Sequence, residues 1–547
     1  MAVALDCINV PAALRGSRYV AFHVWLLGQA SLMCHILLDR ADNLVSVLLA
    51  IGSPALAGYS LAITRLNSRW LSRQFMYLHF PNRLNIPLSI SALQHIPFRI
   101  DSSGSLLPSL IVLPQNDRYW KLLSVAARRT RQWSIPVAMN IIWVLVAFLF
   151  TIVDSFVDFD TFLTVPGDAG YSIAAVWTYL LPVVVGWLHV GSQLEADYLR
   201  DALNDAHEIA YVATASEPVL ASRVTGPSTR AIEPSTRLID HVNADEKKTA
   251  PIFNYARVFI WSQNAECVLR PYERAATKAG RGLTVRGGTR VSDNDAITPQ
   301  DRTGNEMDVI KYCMEEEEYV VEPSLRSSSL AAQYPPPFSP YSAFSVRSAS
   351  NSLTKYDEEA TEEPLKPVFA TEVFYRVVFA AVFALGLQWG TTGAAVLIHI
   401  FTPPKGVGCR ALTFSLYGAA GTVSFCLLLC SSILAHLVRR QSIREKRSGL
   451  KQFIGCITTL MRWLGKTIAI VNGFGIVIAC GMQFGGVYDN CFCSSTILGS
   501  NQDGLVKFVE DNIKGSEVYG YWIGGTVMAF AVSGLYSFAI YVATPMG

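Results

Sequence analysis

The sequence predicts an all-α, polytopic helical membrane protein with about eight transmembrane helices and a long, partly disordered cytoplasmic segment. The chain of 547 residues is 51% hydrophobic and only 16% charged, whereas an ordinary soluble domain is about 25% charged. Its mean hydropathy is +0.30. Eight apolar stretches also approach the length of about 20 residues with which an α-helix crosses a bilayer.

The predicted spans form two groups of four, and the second group is the more uniformly apolar. The second span contains Gly52, Pro54 and Gly58, which bilayer helices tolerate where neighbouring groups satisfy the freed backbone. In chain order the predicted spans are Tyr19–Leu38, Leu44–Thr64, Pro136–Val157, Tyr171–Val190, Phe374–Phe401, Leu412–Leu437, Thr467–Tyr488 and Val518–Ala543.

The charges in the loops predict the orientation of these spans. Lysine and arginine near span ends concentrate on the cytoplasmic side. The loop after span 6 holds four arginines and two lysines between residues 439 and 451, whereas the loop after span 3 holds Asp158, Asp160 and Asp168 without a base. We therefore expect both termini in the cytoplasm. The membrane would be the plasma membrane or one of the secretory pathway.

The chain divides into five predicted regions. A basic segment follows span 2 and is expected to form a small folded cap, which anionic lipid headgroups could attract. The regions are 1–64 with spans 1 and 2, 65–135 as the basic cap, 136–190 with spans 3 and 4, 191–372 as the cytoplasmic segment, and 373–547 with spans 5 to 8 and their outer loops.

The cytoplasmic segment has an ordered beginning and a low-complexity end. An amphipathic pattern follows span 4, and Pro251–Thr277 is too apolar for a free linker. After residue 278 the composition is polar and rich in Gly, Ser and Pro, which predicts disorder over most of the remainder. Pro335–Pro340 would suit either a polyproline II docking motif for a cytoplasmic adaptor or a flexible tether.

Three cysteines lie in loops that the predicted topology places outside the cytosol, where disulfides persist. They are Cys409, Cys491 and Cys493. We expect one bridge from Cys409 to either of the other two, and the alternative is three free thiols. A metal site is disfavoured because neither loop contains a histidine.

A pair of carboxylates at the end of span 3 offers a weak catalytic hypothesis. Asp154 and Asp158 are four residues apart, so they share one face of a helix. Such a pair could hold a divalent ion and a diphosphate, as in membrane prenyltransferases. Phe150 stands where those enzymes have an asparagine, and no second acidic copy follows. A solvated acidic pair at the membrane surface is therefore the favoured interpretation.

Polar residues within the apolar spans are the candidate ligand-binding residues, because polar groups at membrane depth are costly. One cluster lies near the middle of span 5, and a second lies at the start of span 7. Lining of a cavity and hydrogen bonding between helices are both open for the first cluster. For the second cluster, anion binding competes with anchoring at the membrane interface. The residues are Gln388, Trp389, Thr391, Thr392, Arg462, Lys466 and Asn472.

Several of these residues fall in segments with a familiar pattern. The segments are Gln388–Ala395, Phe401–Arg410 and Tyr488–Ser494, together with Arg462, Lys466 and Asn472. They resemble a family of uncharacterised multi-pass membrane proteins of filamentous fungi. The resemblance implies a fungal integral membrane protein with a structured pair of outer loops. It implies no activity.

Three functions follow as hypotheses. The first is a membrane protein that binds or moves a small molecule, with a cavity among spans 5 to 8. The second is a membrane-embedded enzyme of a fungal secondary-metabolite pathway that acts on an apolar substrate. The third is a non-catalytic scaffold. The sequence has no Walker A loop, nucleophile elbow or dinucleotide fingerprint, and we predict no cofactor, no metal and no nucleic-acid partner. The expected partners are the lipid bilayer, a small-molecule substrate and the cytoplasmic adaptor.

Overall fold

The computed structural model describes 41–101, 104–128, 167–190, 196–224, 230–234, 245–289, 297–315, 371–402, 406–444, 449–484, 487–488 and 515–542. The described helices are α1 (Ala41–Gly52), α2 (Pro54–Met76), α3 (Asn85–Ala92), α4 (Leu106–Val112), α5 (Asp117–Arg128), α6 (Gly167–Trp177), α7 (Leu180–Val190), α8 (Ala196–Glu208), α9 (Ala221–Val224), α10 (Asn254–Gly280), α11 (Glu306–Met314), α12 (Thr371–Phe401), α13 (Cys409–Arg444), α14 (Gly449–Phe484) and α15 (Gly515–Val542).

Strands are short in the described part of the chain. Strand β1 (Phe98–Ile100) pairs antiparallel with β4 (Ile232–Pro234), and β2 (Tyr211–Val212) pairs antiparallel with β3 (Val219–Leu220). Single 3-10 turns occupy Leu93–His95, Pro114–Asn116, Pro251–Phe253 and Gln300–Arg302. The fold is therefore essentially helical, as predicted.

Four helices, α12 to α15, are long and apolar enough to cross a membrane. They pack together as a bundle, with α12 against α13 and α15 and with α13 against α14. Apolar side chains such as Phe379, Phe474 and Phe538 are more than half exposed on these helices. Water would disfavour such a surface and lipid would solvate it. The four helices confirm the apolar helices predicted for spans 5 to 8, and they indicate an integral membrane protein.

The structure corrects the predicted second span, Leu44–Thr64, which is not one helix. Helices α1 and α2 are bent by 105° where they meet. Ser53 lies between them with an extended φ of −142°, and its side chain accepts a hydrogen bond from the amide of Leu56. Pro54 begins α2, where its missing N–H would have no helical partner anyway. The pair is a broken span or a re-entrant loop, and α2 continues 12 residues beyond the predicted end, to Met76.

The predicted fourth span, Tyr171–Val190, is also divided. Helix α6 ends at Trp177 and α7 begins at Leu180. Pro182 lies in the first turn of α7, a position that proline favours. Predicted spans 1 and 3 lie outside the described residues, so the count of eight stays a prediction.

Two hydrophobic cores organise the described residues. The first lies in the bundle and includes α1, α2, α6, α7 and α12 to α15. The second gathers the end of α2, helices α3 to α5, α8, α10 and α11. Described residues on both sides of spans 3 and 4 therefore share one hydrophobic core, which includes side chains of the predicted cap region 65–135.

The prediction of disorder after residue 278 is wrong for the part of that stretch that the structure describes. Val309, Tyr312 and Cys313 are buried in the second core, because their spacing places them on one face of α11. Arg302 is also buried, and its guanidinium donates to both oxygens of Asp117 at 2.7 and 2.9 Å. Residues 316–370, which include Pro335–Pro340, lie outside the described residues.

Helix α10 joins the two cores. Its first turns, with Tyr255 and Phe259, are buried in the bundle core, and its later turns, with Trp261 and Tyr272, are buried in the second core. The prediction of an ordered Pro251–Thr277 segment agrees with this helix. One end of the bundle contacts the second core, and we call it the domain end. Helix α12 begins at this end, and helices α13 and α15 end at it.

Candidate functional site

The break between α1 and α2 leaves backbone groups without helical partners. The last carbonyls of α1 and the first amides of α2 cannot bond within their own helices. Inside a bilayer such groups need partners from the protein, because no water is present to supply them. The break lies against α12, α13 and α14, as the following contacts show.

Side chains from α13 and α14 satisfy the end of α1. The Tyr417 hydroxyl donates to the Ile51 carbonyl at 2.6 Å. The Asn472 side-chain amide donates to the Gly52 carbonyl at 2.7 Å and to the Tyr417 carbonyl at 3.0 Å. Asn472 therefore links the broken helix to two bundle helices at once.

Gln388 of α12 satisfies the start of α2. Its side-chain oxygen accepts from the Ala55 amide at 3.0 Å. Its side-chain nitrogen donates to the Gly418 carbonyl and to the Thr422 hydroxyl, each at 2.8 Å. The Ser53 hydroxyl adds a bond of 2.9 Å to the Gly421 carbonyl.

Backbone contact between α1 and α14 makes this arrangement possible. A Cβ atom placed on Gly52 would lie 1.7 Å from the carbonyl oxygen of Ala469, and one placed on Gly473 would lie 3.0 Å from the carbonyl oxygen of Leu48. Only glycine permits this approach at position 52. The approach brings the Gly52 carbonyl within reach of Asn472.

The structure thus unites two of the predicted ligand residues, Gln388 and Asn472, at one break. Trp389 is 40% exposed and donates to the Thr422 hydroxyl at 3.0 Å. The Thr391 hydroxyl bonds to the Leu387 carbonyl of its own helix. The Thr392 hydroxyl is buried and has no hydrogen-bond partner among the described residues. The polar cluster of span 5 therefore serves mainly as interhelical hydrogen bonding in this conformation.

The other two predicted residues, Arg462 and Lys466, form a second site nearer the domain end. The Lys466 ammonium lies 2.6 Å from one carboxylate oxygen of Asp245, and Arg462 Nε lies 3.6 Å from the other. The Tyr255 hydroxyl donates to that second oxygen at 2.6 Å. Asp245 is fully buried. Burial, and then the Asp245 charge, raise the pKa of Tyr255 well above its usual value, which keeps the hydroxyl a donor.

Further charges lie beside this carboxylate. Glu246 is buried and forms an ion pair of 3.4 Å with Arg439 of α13. Arg257 is buried and donates to the Gln94 carbonyl at 3.1 Å and to the Asn254 side-chain oxygen at 2.6 Å. Desolvation lowers the pKa of Arg257 to about 9. We call Asp245, Glu246, Tyr255, Arg257, Arg439, Arg462 and Lys466 the ion cluster.

Asp245, Glu246 and Tyr255 were not predicted as site residues. The only sequence signal near them was the unusually apolar character of Pro251–Thr277. Two adjacent acids in a polar stretch are usually solvated, so nothing local identified their role. Their partners on α13 and α14 lie about 200 residues further along the chain.

The remaining predicted site residues fall largely outside the described residues. Asp154, Asp158, Cys491 and Cys493 all lie there. Cys409 is disulfide-bonded, and the other described cysteines are free thiols. The predicted pairing therefore stays a prediction. Among the residues that the structure describes, no group of three or more His, Cys, Asp or Glu side chains could hold a metal ion.

No protein-family model, no curated protein and no solved structure matches this chain. The resemblance to the fungal membrane-protein family stays a prediction.

Proposed function

We propose that this protein binds a small polar solute inside the membrane and moves it across, using the break between α1 and α2 as the binding element. The observation that supports this most is the break itself, whose backbone groups bond to side chains of α12, α13 and α14. Discontinuous helices of this kind form the substrate sites of many secondary transporters.

A broken helix at membrane depth costs more free energy than a continuous one. A continuous apolar helix would satisfy its own backbone, whereas a broken one needs dedicated polar partners at membrane depth. Each of these hydrogen bonds contributes a net of about 0.5–1.5 kcal/mol. A solute with matching polar groups would therefore replace Gln388 or Asn472 at modest cost. The observed conformation would then be the one in which the protein's own side chains fill the site.

Within this proposal the second core lies in the cytoplasm, and the membrane is the plasma membrane or a secretory-pathway membrane. The domain end carries Arg439 together with the basic loop 439–451. Lysine and arginine concentrate on the cytoplasmic side of membrane proteins, so the domain end would face the cytoplasm. The enzyme and scaffold hypotheses depend on Asp154, Asp158 and Pro335–Pro340, which lie outside the described residues.

The experiment is metabolite profiling of cells that lack the protein, with cell extract and medium measured separately. The cells are complemented with the wild-type chain, with Gln388→Met or with Ser415→Ala. Methionine keeps the approximate size of Gln388 and removes its hydrogen bonds at the break. Ser415 is the matched control, because among the described residues its hydroxyl bonds to the Ala411 carbonyl of its own helix and not to the break.

We expect a compound to change in opposite directions in extract and medium when the protein is absent. The wild type and Ser415→Ala should restore its distribution, and Gln388→Met should not. A compound that disappears from both fractions while a precursor rises would contradict transport and support catalysis. An unchanged distribution in both fractions would also contradict the proposal.

A further inference from the structure

The segment 245–257 enters the bundle core from the second core, and we call it the inserted segment. The Ser60 hydroxyl of α2 donates to the Pro251 carbonyl. The Ser432 hydroxyl of α13 donates to the Tyr255 carbonyl at 2.7 Å. The side chain of Asn254 donates to the Thr64 hydroxyl at 2.7 Å. The segment therefore lies between α2 and α13, on the domain side of the break.

Two cations of α14 face this segment from inside the bundle. Arg462 and Lys466 are four residues apart, so they lie on one face of α14. Lys466 stands near the middle of the membrane-length helix Gln452–Gln483. The Arg462 side chain is 5% exposed and the Lys466 side chain is 22% exposed. Cations so placed need a counter-charge, because burying an unpaired charge is very unfavourable.

Among the described residues, the carboxylate that pairs with both cations is Asp245. It belongs to the inserted segment and not to a bundle helix. Both of its oxygens are engaged, one by Lys466 and the other by Arg462 and the Tyr255 hydroxyl. Two hydrogen-bond donors, the Lys466 ammonium and the Tyr255 hydroxyl, and the guanidinium charge of Arg462 therefore converge on one carboxylate. A bound carboxylate or phosphate ligand would require the same kind of arrangement.

We propose that Arg462 and Lys466 form a binding site for a carboxylate- or phosphate-bearing anion, and that Asp245 occupies this site in place of the ligand. The inference rests on the proposed function and assigns the solute to the class of anions. Withdrawal of the inserted segment leaves both cations without their counter-charge, so an arriving anion and Asp245 compete for them. Anion binding and movement of the segment are thereby coupled.

The charge of the ion cluster supports this choice of ligand. Within the described residues its four cations, Arg257, Arg439, Arg462 and Lys466, face two carboxylates. The net charge of the ion cluster is therefore positive, and an anion is the ligand that would bring it closer to neutrality. A cationic solute would add to the repulsion already present.

The test uses the purified full-length chain in nanodiscs of phosphatidylcholine, with inorganic phosphate and succinate as probes. Binding is measured by isothermal titration calorimetry, and sodium chloride at equal ionic strength is the control. The variants are Asp245→Asn, the double variant Asp245→Asn with Lys466→Met, and Glu273→Gln as the control, because Glu273 is an exposed carboxylate of α10 outside the ion cluster. Asn keeps the size of Asp245 and removes the competing charge.

We expect Asp245→Asn to bind one or both probes about tenfold more tightly than the wild type, since one competitor is removed. The double variant should lose the gain, and Glu273→Gln should not show it. The inference is overturned if neither probe binds Asp245→Asn more tightly than chloride does. It is also overturned if the double variant binds as tightly as the single one.

A second measurement does not depend on whether Asp245→Asn folds. Hydrogen exchange of the wild-type amides in 245–260 should speed up several-fold at saturating phosphate or succinate, because the anion displaces the segment. Unchanged exchange at saturation contradicts the competition. Faster exchange in nanodiscs that contain phosphatidylglycerol, without soluble anion, supports the site and identifies a lipid headgroup as the source.

The transport proposal and the anion-site proposal can be contradicted independently of each other. Anion binding to Arg462 and Lys466 is measured without any transport, so it survives a negative metabolite profile. Conversely, if the transported compound proves to be cationic or neutral, transport stands and the anion site is rejected as its solute site.

Discussion

At the scale of single residues, Gly52 determines how closely α1 approaches α14. It ends a helix, contacts the backbone of Ala469, and presents its carbonyl to Asn472. These three roles exclude any side chain at this position. Gly386 of α12 is a useful contrast, because a Cβ atom added there meets nothing within 4 Å.

We predict that Gly52→Ala destabilises the protein while Gly386→Ala does not. An added methyl group at position 52 overlaps the Ala469 carbonyl, and overpacking of this kind costs about 1–3 kcal/mol or more. Alanine at position 386 gains up to about 1 kcal/mol from helix propensity. Thermal unfolding of the purified variants measures the difference. Equal transition temperatures for the two variants would mean that the α1–α14 contact is wrong.

Asp245 shows at the same scale why part of the candidate site escaped prediction. Arg462 and Lys466 were conspicuous because they share one helix face directly before predicted span 7, where two cations could bind an anion. Their partner lies in a polar stretch where acids are common. Only the folded chain shows that this carboxylate is buried and paired with both cations.

At the scale of elements, α11 shows how a short helix can belong to a core. It has nine residues and begins with a capping box between Asn305 and Asp308. Cys313, near its end, is fully buried. Burial raises the pKa of the Cys313 thiol from 9.0 to about 12. The thiol is therefore protonated and inaccessible as long as α11 remains docked.

We predict that Cys313 resists maleimide labelling at pH 8 in the folded protein. Because the thiolate is the reactive form, the raised pKa of Cys313 slows the reaction strongly. Mass spectrometry of peptides after timed labelling measures the rate, with the denatured chain as the reference. The truncation Val309→Ala should accelerate labelling by loosening the contacts of α11. Rapid labelling of the folded wild type would show that α11 is not held in the core.

The same thiol has a defined effect on stability against pH. Between pH 9.0 and about 12 the unfolded chain has lost the thiol proton, whereas the folded chain retains it. The folded state binds more protons in this range, so this group lowers the free energy of unfolding as the pH rises.

The elements also divide into those that the sequence could predict and those that it could not. Helices α12 to α15 follow from uniform apolar composition over a membrane length. The break at Ser53 does not, since Pro54 is also tolerated within continuous membrane helices. What stabilises the break is a set of partners more than 300 residues away, including Gln388 and Asn472. Helix α11 was missed because nine residues in a polar, glycine-rich stretch give little periodic signal.

At the scale of the whole molecule, the described residues form two cores joined by α2 and α10. Most of the large apolar side chains that are exposed belong to the bundle, such as Phe379 and Leu535, and fewer belong to the elements around the second core, such as Met76 and Val125. Tyr77, just after α2, and Val487, just after α14, lie at opposite ends of this arrangement and are 74% and 54% exposed.

We predict that a membrane barrier separates these two positions. In sealed membrane vesicles whose cytoplasmic face is outside, a membrane-impermeant maleimide should label Tyr77→Cys and should label Val487→Cys only after permeabilisation. The unsubstituted chain provides the background of native cysteines. The reverse pattern would invert the proposed orientation, and labelling of both positions in sealed vesicles would contradict the membrane arrangement altogether.

Helix α2 has a mechanical consequence for the entire protein. Its 23 residues run without interruption from the break to the second core, a length of about 34 Å at 1.5 Å per residue. A rotation of α2 about Ser53 would therefore move the far end of the helix furthest. A tilt of about 10° there displaces the other end by about 6 Å, by simple trigonometry on that length. A small rotation at the break would thereby become a displacement of the second core large enough for another molecule to detect.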